Sequence, residues 1–325
     1  MTQFERVVTL HSFNTGSIEE VVWERPHINP DEVVVETKLC GFCRSDVGSV
    51  ARFEAMPYSD AENPNGKIGG LGHEGLGVVV EVGDNVTDIK VGDVVSTWGD
   101  PAFAYKYNVK ANEAIKVPEV SPKYILQPTA CSINIAMKTI DACSKINACN
   151  SPKILLLGTG FMSLIIGQYF KNCNIQFDVV GSANKRDWHE LYIQLKTIDQ
   201  IAGNQYDAVI DLTSKAANWD LIADLNLLKP EGILCYASTP YTPVTTNFFK
   251  QCWNCYTIIM PSPRNSDFDQ IMRKTALLIR LGAINPAPYW TKGYARSSMD
   301  EVLQAFTDGL NRTPDYIRGY IDYTK

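Results

Sequence analysis

Lys153-Ile154-Leu155-Leu156-Leu157-Gly158-Thr159-Gly160-Phe161-Met162-Ser163 decides the fold. A short apolar run of strand length enters a glycine-rich turn, and Phe161 to Phe170 can form a helix. Gly158 and Gly160 permit a tight turn and let the backbone around Thr159, Phe161 and Met162 approach a ligand closely. The helix N-terminus that follows favours negative charge, so the segment predicts a dinucleotide pyrophosphate site. Ser163 stands where a third glycine is usual, and Ser is small enough for the helix to pack on the strand. Taken alone, such a turn can be purely structural, so its surroundings matter.

Downstream, Phe177 to Val180, Tyr206 to Leu212 and Gly232 to Ala237 are further apolar runs of strand length. Each gap leaves room for a crossover, which predicts a parallel, doubly wound α/β sheet over residues 134–262. Upstream the texture differs. Val33-Val34-Val35, Gly77 to Val82 and Gly92 to Ser96 are short strands separated by frequent Gly, Pro and Asn turns, the mark of a β-rich module. After the parallel region, Asp267 to Leu281 and Ser298 to Leu310 have helical periodicity, and Tyr316 to Ile321 reads as a last strand.

The chain has 325 residues, enough for two domains each with its own core. With 45% apolar and 20% charged residues it is ordinarily globular, and a net charge of −6 argues against a nucleic-acid surface. The longest apolar run, Ile154 to Phe170, is broken by glycines and predicts strand-turn-helix rather than a membrane span. Glu5 and Arg6 precede a short apolar run, which reads as no secretory signal, and nine cysteines fit mostly free thiols. The expectation is a cytoplasmic protein with no nucleic-acid or membrane partner.

A second constellation lies in the β-rich part. Cys40-Gly41-Phe42-Cys43-Arg44-Ser45-Asp46 and Leu71-Gly72-His73-Glu74-Gly75-Leu76-Gly77 supply a thiol, an imidazole and carboxylates. Three such ligands with one open position make a catalytic rather than a structural zinc site. An isolated Cys-x-x-Cys is otherwise two small residues near a turn, as Cys252 and Cys255 can be.

These motifs resemble the zinc-dependent medium-chain dehydrogenase/reductase family of alcohol, polyol and sugar dehydrogenases. Gly72-His73-Glu74, Gly77 and Gly83 carry its signature, joined by Cys40 to Asp46, the glycine turn at 158 and the Ile317-Arg318 tail. The resemblance implies a GroES-like catalytic domain over residues 1–133 and 263–325, around a Rossmann domain over 134–262. Cys43 and His73 match metal ligands, and Glu74 matches a residue that ligates the metal or sits just behind it. Where relatives carry Cys or Glu, this chain has Gln127 before Pro128. Gln127 either ligates through its amide oxygen or hydrogen-bonds near the site while water fills the place. The lobe of closely spaced cysteines that holds a structural zinc in many relatives is missing, so one catalytic Zn²⁺ per chain is expected. Ser45 matches a proton relay, Asp46 a supporting residue, and Arg44 and Arg318 match cations that face the pyrophosphate or form salt bridges.

For the cofactor, NAD-binding chains usually close the second strand with an acid that accepts from the ribose hydroxyls. Here that strand ends Gly181-Ser182-Ala183-Asn184-Lys185-Arg186. Ser182, Asn184, Lys185 and Arg186 suit a 2′-phosphate, as in the NADP-using glucose dehydrogenases that this turn resembles. Asp178, early in the strand, is the counter-candidate. The reading is hydride transfer between NADP(H), favoured over NAD(H), and a small alcohol, polyol or sugar or its carbonyl, by a homodimer or homotetramer. The alternatives are a metal-free quinone or enoyl reductase of the same fold, which intact Cys43 and His73 argue against, and a non-catalytic Rossmann or zinc-binding scaffold, to which the missing cysteine lobe and Gln127 point.

Overall fold

The structure, a computed structural model, describes residues 5–12, 18–25, 27–43, 45–46, 72–99, 101–181, 195–203, 205–213, 217–238, 246–247, 255–262, 267–311, 313 and 315–325. In chain order, strands β1 (Glu5–Ser12), β2 (Ile18–Arg25), β3 (Glu32–Gly41), β4 (Gly75–Val82), β5 (Val94–Thr97), β6 (Lys106–Lys110) and β7 (Ala114–Lys116) come first. Helix α1 (Leu126–Asn147) leads to β8 (Lys153–Leu157), α2 (Phe161–Asn172), β9 (Gln176–Val180) and α3 (Ile198–Ile201). Then come β10 (Tyr206–Asp211), α4 (Ala217–Asp224), β11 (Leu228–Tyr236) and β12 (Thr257–Ile259). The chain closes with α5 (Phe268–Arg280), β13 (Trp290–Ala295), α6 (Met299–Asn311) and β14 (Arg318–Asp322).

Contacts divide the chain into two units, Met1–Pro128 with Met272–Arg280 and Asn285–Lys325, and Thr129–Ile271 with Leu281–Ile284. In the first unit, β13-β14-β3-β4-β5-β7 form one sheet in that order, with β6 also paired to β3. β3 is paired with β14, β4 and β6, and its Val33, Val34 and Val35 are all fully buried in succession. Its pairing with β4 is antiparallel and puts Cys40 opposite Gly75. Residues following β3 and residues preceding β4 therefore leave the sheet at the same edge, which brings Cys43 near His73 across thirty positions of sequence.

The second unit is the expected parallel sheet, ordered β12-β11-β10-β8-β9. Every pairing is parallel, and a lone parallel bridge from Val180 to Lys196 marks a further strand reduced to one pair. Ile154, Leu155 and Leu156 in β8 are all fully buried, as a strand covered on both faces requires. α2 buries Leu164, Ile165, Ile166 and Phe170. The α/β architecture of a parallel Rossmann-like sheet with a GroES-like β unit is thus as the sequence predicts.

Two elements depart from the sequence reading. β11 starts at Leu228 rather than Gly232, and passes through exposed Lys229 to Glu231 with Glu231 at φ +63°. The register with β10 shifts there, so an irregularity hides the strand's beginning from a periodicity argument. α1 runs for 22 residues and takes in Gln127-Pro128 at its start. Pro is tolerated because first-turn amides have no acceptor within the helix. Among the described residues no helix is long and apolar enough to cross a membrane.

Candidate functional site

β3 ends at Gly41, whose N–H donates to the Glu74 carbonyl at 2.9 Å, and Phe42 N–H donates to the Gly319 carbonyl at 3.0 Å. Cys43 follows at once. A helical turn then carries Ser45 and Asp46, with Ser45 exposed and Asp46 buried. That turn folds the Asp46 carboxylate back: Oδ2 accepts from Cys43 N–H at 3.1 Å and Oδ1 from Gly72 N–H at 3.3 Å. Asp46 Oδ1 also lies 3.4 Å from His73 Nδ1. One carboxylate therefore ties the segment of Cys43 to the segment of His73.

The Cys43 thiol, an Asp46 oxygen and a ring nitrogen of His73 all lie within 4.8 Å of one another. Burial on its own disfavours an imidazolium. The charges of Asp46 and Cys43, and hydrogen bonds to both, overcome it and hold His73 well above the ordinary imidazole range. A thiol and an imidazole drawn together around a proton are donors that a divalent cation can take over by displacing that proton. Asp46 on Nδ1 suits this arrangement, because a ligating His commonly gives its other ring N–H to a carboxylate.

Glu74 is fully buried beside this group. Its Oε1 lies 3.9 Å from His73 Nε2 and accepts from Arg318 Nη2. Its Oε2 is buried with no hydrogen-bond partner. An orphaned carboxylate oxygen next to a thiol-imidazole pair fits a metal site, where a cation supplies the missing interaction. Arg318 stacks over the Trp290 ring at 5.4 Å. Burial disfavours its guanidinium, yet the Glu74 and Cys43 charges hold its proton more tightly than usual. Gln127 is buried on the first turn of α1. Its neighbour Leu126 donates to Ser96 Oγ at 2.9 Å, which donates to the Gly75 carbonyl at 3.2 Å, so the helix start is tied next to the His73-Glu74 segment.

In the second unit, Gly158 follows β8 at φ +117°, a conformation that favours glycine, and its N–H donates to the Val180 carbonyl at 2.8 Å. Thr159 is half-exposed. Gly160 caps α2 without a side-chain hydrogen bond. Phe161 is buried, Met162 is half-buried, and the buried Ser163 hydroxyl has no hydrogen-bond partner. The N-terminus of α2 therefore lies directly after the glycine turn, at the carboxyl end of β8. Asp178 is engaged within the sheet: it takes Lys196 Nζ at 2.8 Å and the Tyr206 hydroxyl at 2.7 Å, with Lys153 Nζ at 3.7 Å. Arg44, Ser182, Asn184, Lys185 and Arg186 lie outside the described residues.

The structure thus brings Cys43, His73, Glu74 and Arg318 together in the first unit and keeps the glycine turn in the second. Asp46 appears inside the donor group, where the sequence reading made it only a support. Its spacing of three from Cys43 was the available signal. The Trp290 contact with Arg318 had none, because β13 is distant in sequence.

Residues 29–119 match the alcohol dehydrogenase GroES-like domain. The chain is 41% identical over 73 residues to an L-threonine 3-dehydrogenase of Caldanaerobacter subterraneus, covering 22% of this chain and 20% of that one. It is 24% identical over 282 residues to the NADP-dependent alcohol dehydrogenase C 1 of Mycolicibacterium smegmatis, covering 72% of this chain and 77% of the relative. Its fold is similar to an Escherichia coli oxidoreductase/dehydrogenase of unknown specificity, with a TM-score of 0.78 at 21% identity over 98% of this chain and 99% of that one. The matched part spans about a fifth of the length of the threonine dehydrogenase. Residues 29–119 thus carry a GroES-like domain, and the chain is similar in sequence to zinc-type and NADP-dependent alcohol dehydrogenases and in fold to dehydrogenases.

Proposed function

We propose that the protein is a zinc-dependent oxidoreductase that transfers a hydride between a nicotinamide dinucleotide and an alcohol, polyol or sugar, or the matching carbonyl compound. The observation that carries this reading is the grouping of the Cys43 thiol, the Asp46 carboxylate and the His73 imidazole within 4.8 Å. Cys43 and His73 would hold the metal, with Glu74 Oε2 and the Gln127 amide oxygen as the further donors. A bound zinc withdraws electron density from a substrate oxygen and lowers the pKa of an alcohol. Asp46 fixes the His73 ring through Nδ1, and Ser45 passes the substrate hydroxyl proton outward. Glu74 holds Arg318 in place.

The backbone of Gly158 to Met162 and the N-terminus of α2 would hold the pyrophosphate, helped by Arg44 and Arg318. A dinucleotide held there would supply the hydride acceptor or donor. We assign NADP(H) over NAD(H). β9 ends without an acid, and the one carboxylate within it, Asp178, is already bound to Lys196 and Tyr206. Ser182, Asn184, Lys185 and Arg186 would meet the 2′-phosphate. β12 is an edge strand of the parallel sheet and the assigned pairing surface of a cytoplasmic homodimer or homotetramer.

A cofactor-oxidation screen of aldehydes, ketones and sugars tests the reading. Turnover should be lost to a chelator and restored by Zn²⁺, with about one zinc per chain by elemental analysis. Turnover that a chelator leaves intact would remove the metal from the reaction. NADPH should bind more tightly than NADH, and Lys185→Ala with Arg186→Ala should erase the difference. Equal affinities in the unaltered protein would refute the cofactor assignment.

A further inference from the structure

Phe42 immediately precedes Cys43 and Gly72 immediately precedes His73, and both lie against one side chain, Phe103. The Phe103 ring is stacked on the Phe42 ring, with centroids 6.0 Å apart and planes at 28°. Its other contact is the backbone of Gly72, which sits at φ +89°, and a Cβ at Gly72 would come within 2.7 Å of Phe103 Cγ and 2.8 Å of Phe103 N. Ala102 N–H also donates to the Gly72 carbonyl at 2.9 Å. Phe306 fills the remaining side, 4.4 Å from Phe42 and 6.4 Å from Phe103.

The turn that carries Phe103 is itself fastened to the scaffold. Tyr323, just past β14, donates its hydroxyl to the Phe103 carbonyl at 2.5 Å, and its own N–H donates to Lys38 O in β3 at 2.9 Å. Thr37 in β3 gives its hydroxyl to Ala104 O at 2.5 Å and its N–H to Tyr105 O at 2.9 Å. The turn of Phe103 is therefore fastened to β3 and the C-terminal strand by contacts that involve none of the donor side chains.

We infer that Phe103, anchored by Tyr323, is a positioning residue that sets the separation of Cys43 and His73 for one metal ion. This rests on the metal reading above. The ring is wedged between the two residues that lead into the two donors, so a change in its shape moves both donors relative to each other. A cation that needs thiolate and imidazole at one distance senses that movement more than global stability does.

Cobalt(II) is the probe, since its visible spectrum and its thiolate charge-transfer band report the donor set directly. Phe103→Leu should stay folded, bind Co²⁺ about tenfold more weakly and show a diminished thiolate band. Tyr323→Phe, which deletes only the hydroxyl, should shift both readouts in the same sense by a smaller factor. Val33→Ala, a core truncation at the far end of β3, should lower stability yet leave Co²⁺ affinity and spectrum unchanged. Wild-type affinity and spectrum in both the Phe103 and Tyr323 variants, or an equal loss in Val33→Ala, would overturn the brace while sparing the metal site. A wild-type protein with no Cys43-dependent Co²⁺ spectrum would overturn the metal reading and the brace with it.

Discussion

The two units present their candidate ligand groups in opposite ways. In the first, the segments leaving a mostly antiparallel sheet collect charged side chains that rarely lie buried: Asp46 is 5% exposed, His73 8% and Glu74 fully buried. In the second, the sheet at its centre is aliphatic, and the candidate ligand contact is bare backbone at Gly158 to Met162. Side chains that lie buried at an energetic cost are retained when chemistry uses them. A backbone turn needs the reverse, the absence of side chains. Removing atoms should therefore damage the first unit's function, and adding atoms should damage the second's.

The largest effect tests the first half of that contrast. Cys43→Ser and His73→Ala should each abolish turnover and drop zinc content toward zero, while NADPH titration by fluorescence shows affinity within about twofold of wild type, a small free-energy change. Loss of nucleotide binding along with metal would erase the division of labour between the units. Next in size is Glu74→Ala. It takes the fully buried carboxylate from beside the Arg318 guanidinium, whose side chain is 11% exposed, and breaking such a pair costs up to about 3–5 kcal/mol, the figure for a fully buried one. Urea denaturation of the metal-free protein measures it directly. A change below about 1 kcal/mol, the level of an exposed pair, would mean that the pair is not buried in solution.

A smaller effect belongs to the second unit. Gly158→Ala adds one methyl group with no clash closer than 3.5 Å, so the space exists and only the backbone objects. An L-residue at φ +117° costs about 1–3 kcal/mol. Either stability falls by that amount, or the turn relaxes and NADPH affinity falls about tenfold or more. An alanine variant with unchanged stability and unchanged affinity would show that the turn needs no glycine there.

Sequence alone made both units visible, for different reasons. The parallel sheet announced itself through apolar runs such as Ile154 to Leu157, because burial on both faces demands them. The donor group was legible through residue chemistry at Cys43, His73 and Glu74, and the register of β3 and β4 then explains their meeting. What stayed hidden depends on contacts between distant segments. Nothing near Phe103 in sequence points to Gly72 or to Tyr323, which lies 220 positions away. Arg318 read equally as a pyrophosphate cation or a salt-bridge residue, and only the pairing of β14 with β3 sets it beside Glu74. The first residues of β11 were hidden because exposed Lys229-Pro230-Glu231, where the register with β10 shifts, interrupts the apolar run on which the reading of a buried strand relies.

The smallest effect sharpens the claim that the second unit binds by backbone and not by Asp178. Burial alone would raise the Asp178 carboxyl. Hydrogen bonds from Lys196 and Tyr206, with the charges of Lys196 and Lys153, outweigh it and hold the carboxyl below the usual carboxylate range. A carboxyl depressed in the folded state adds stability above its unfolded pKa, about 3.9, and loses that contribution as pH falls through the lower folded value. Asp178→Asn should accordingly cost about 1 kcal/mol at neutral pH, the scale of a partly buried charged hydrogen bond, and the gap to wild type should close in acid. Urea midpoints from pH 3 to pH 7 follow this directly. Nucleotide affinities should stay where they were, because the carboxylate is occupied inside the sheet. A variant that keeps its acid limb but loses NADH binding would turn Asp178 into the ribose acceptor, and the preference for NADP(H) would go with it.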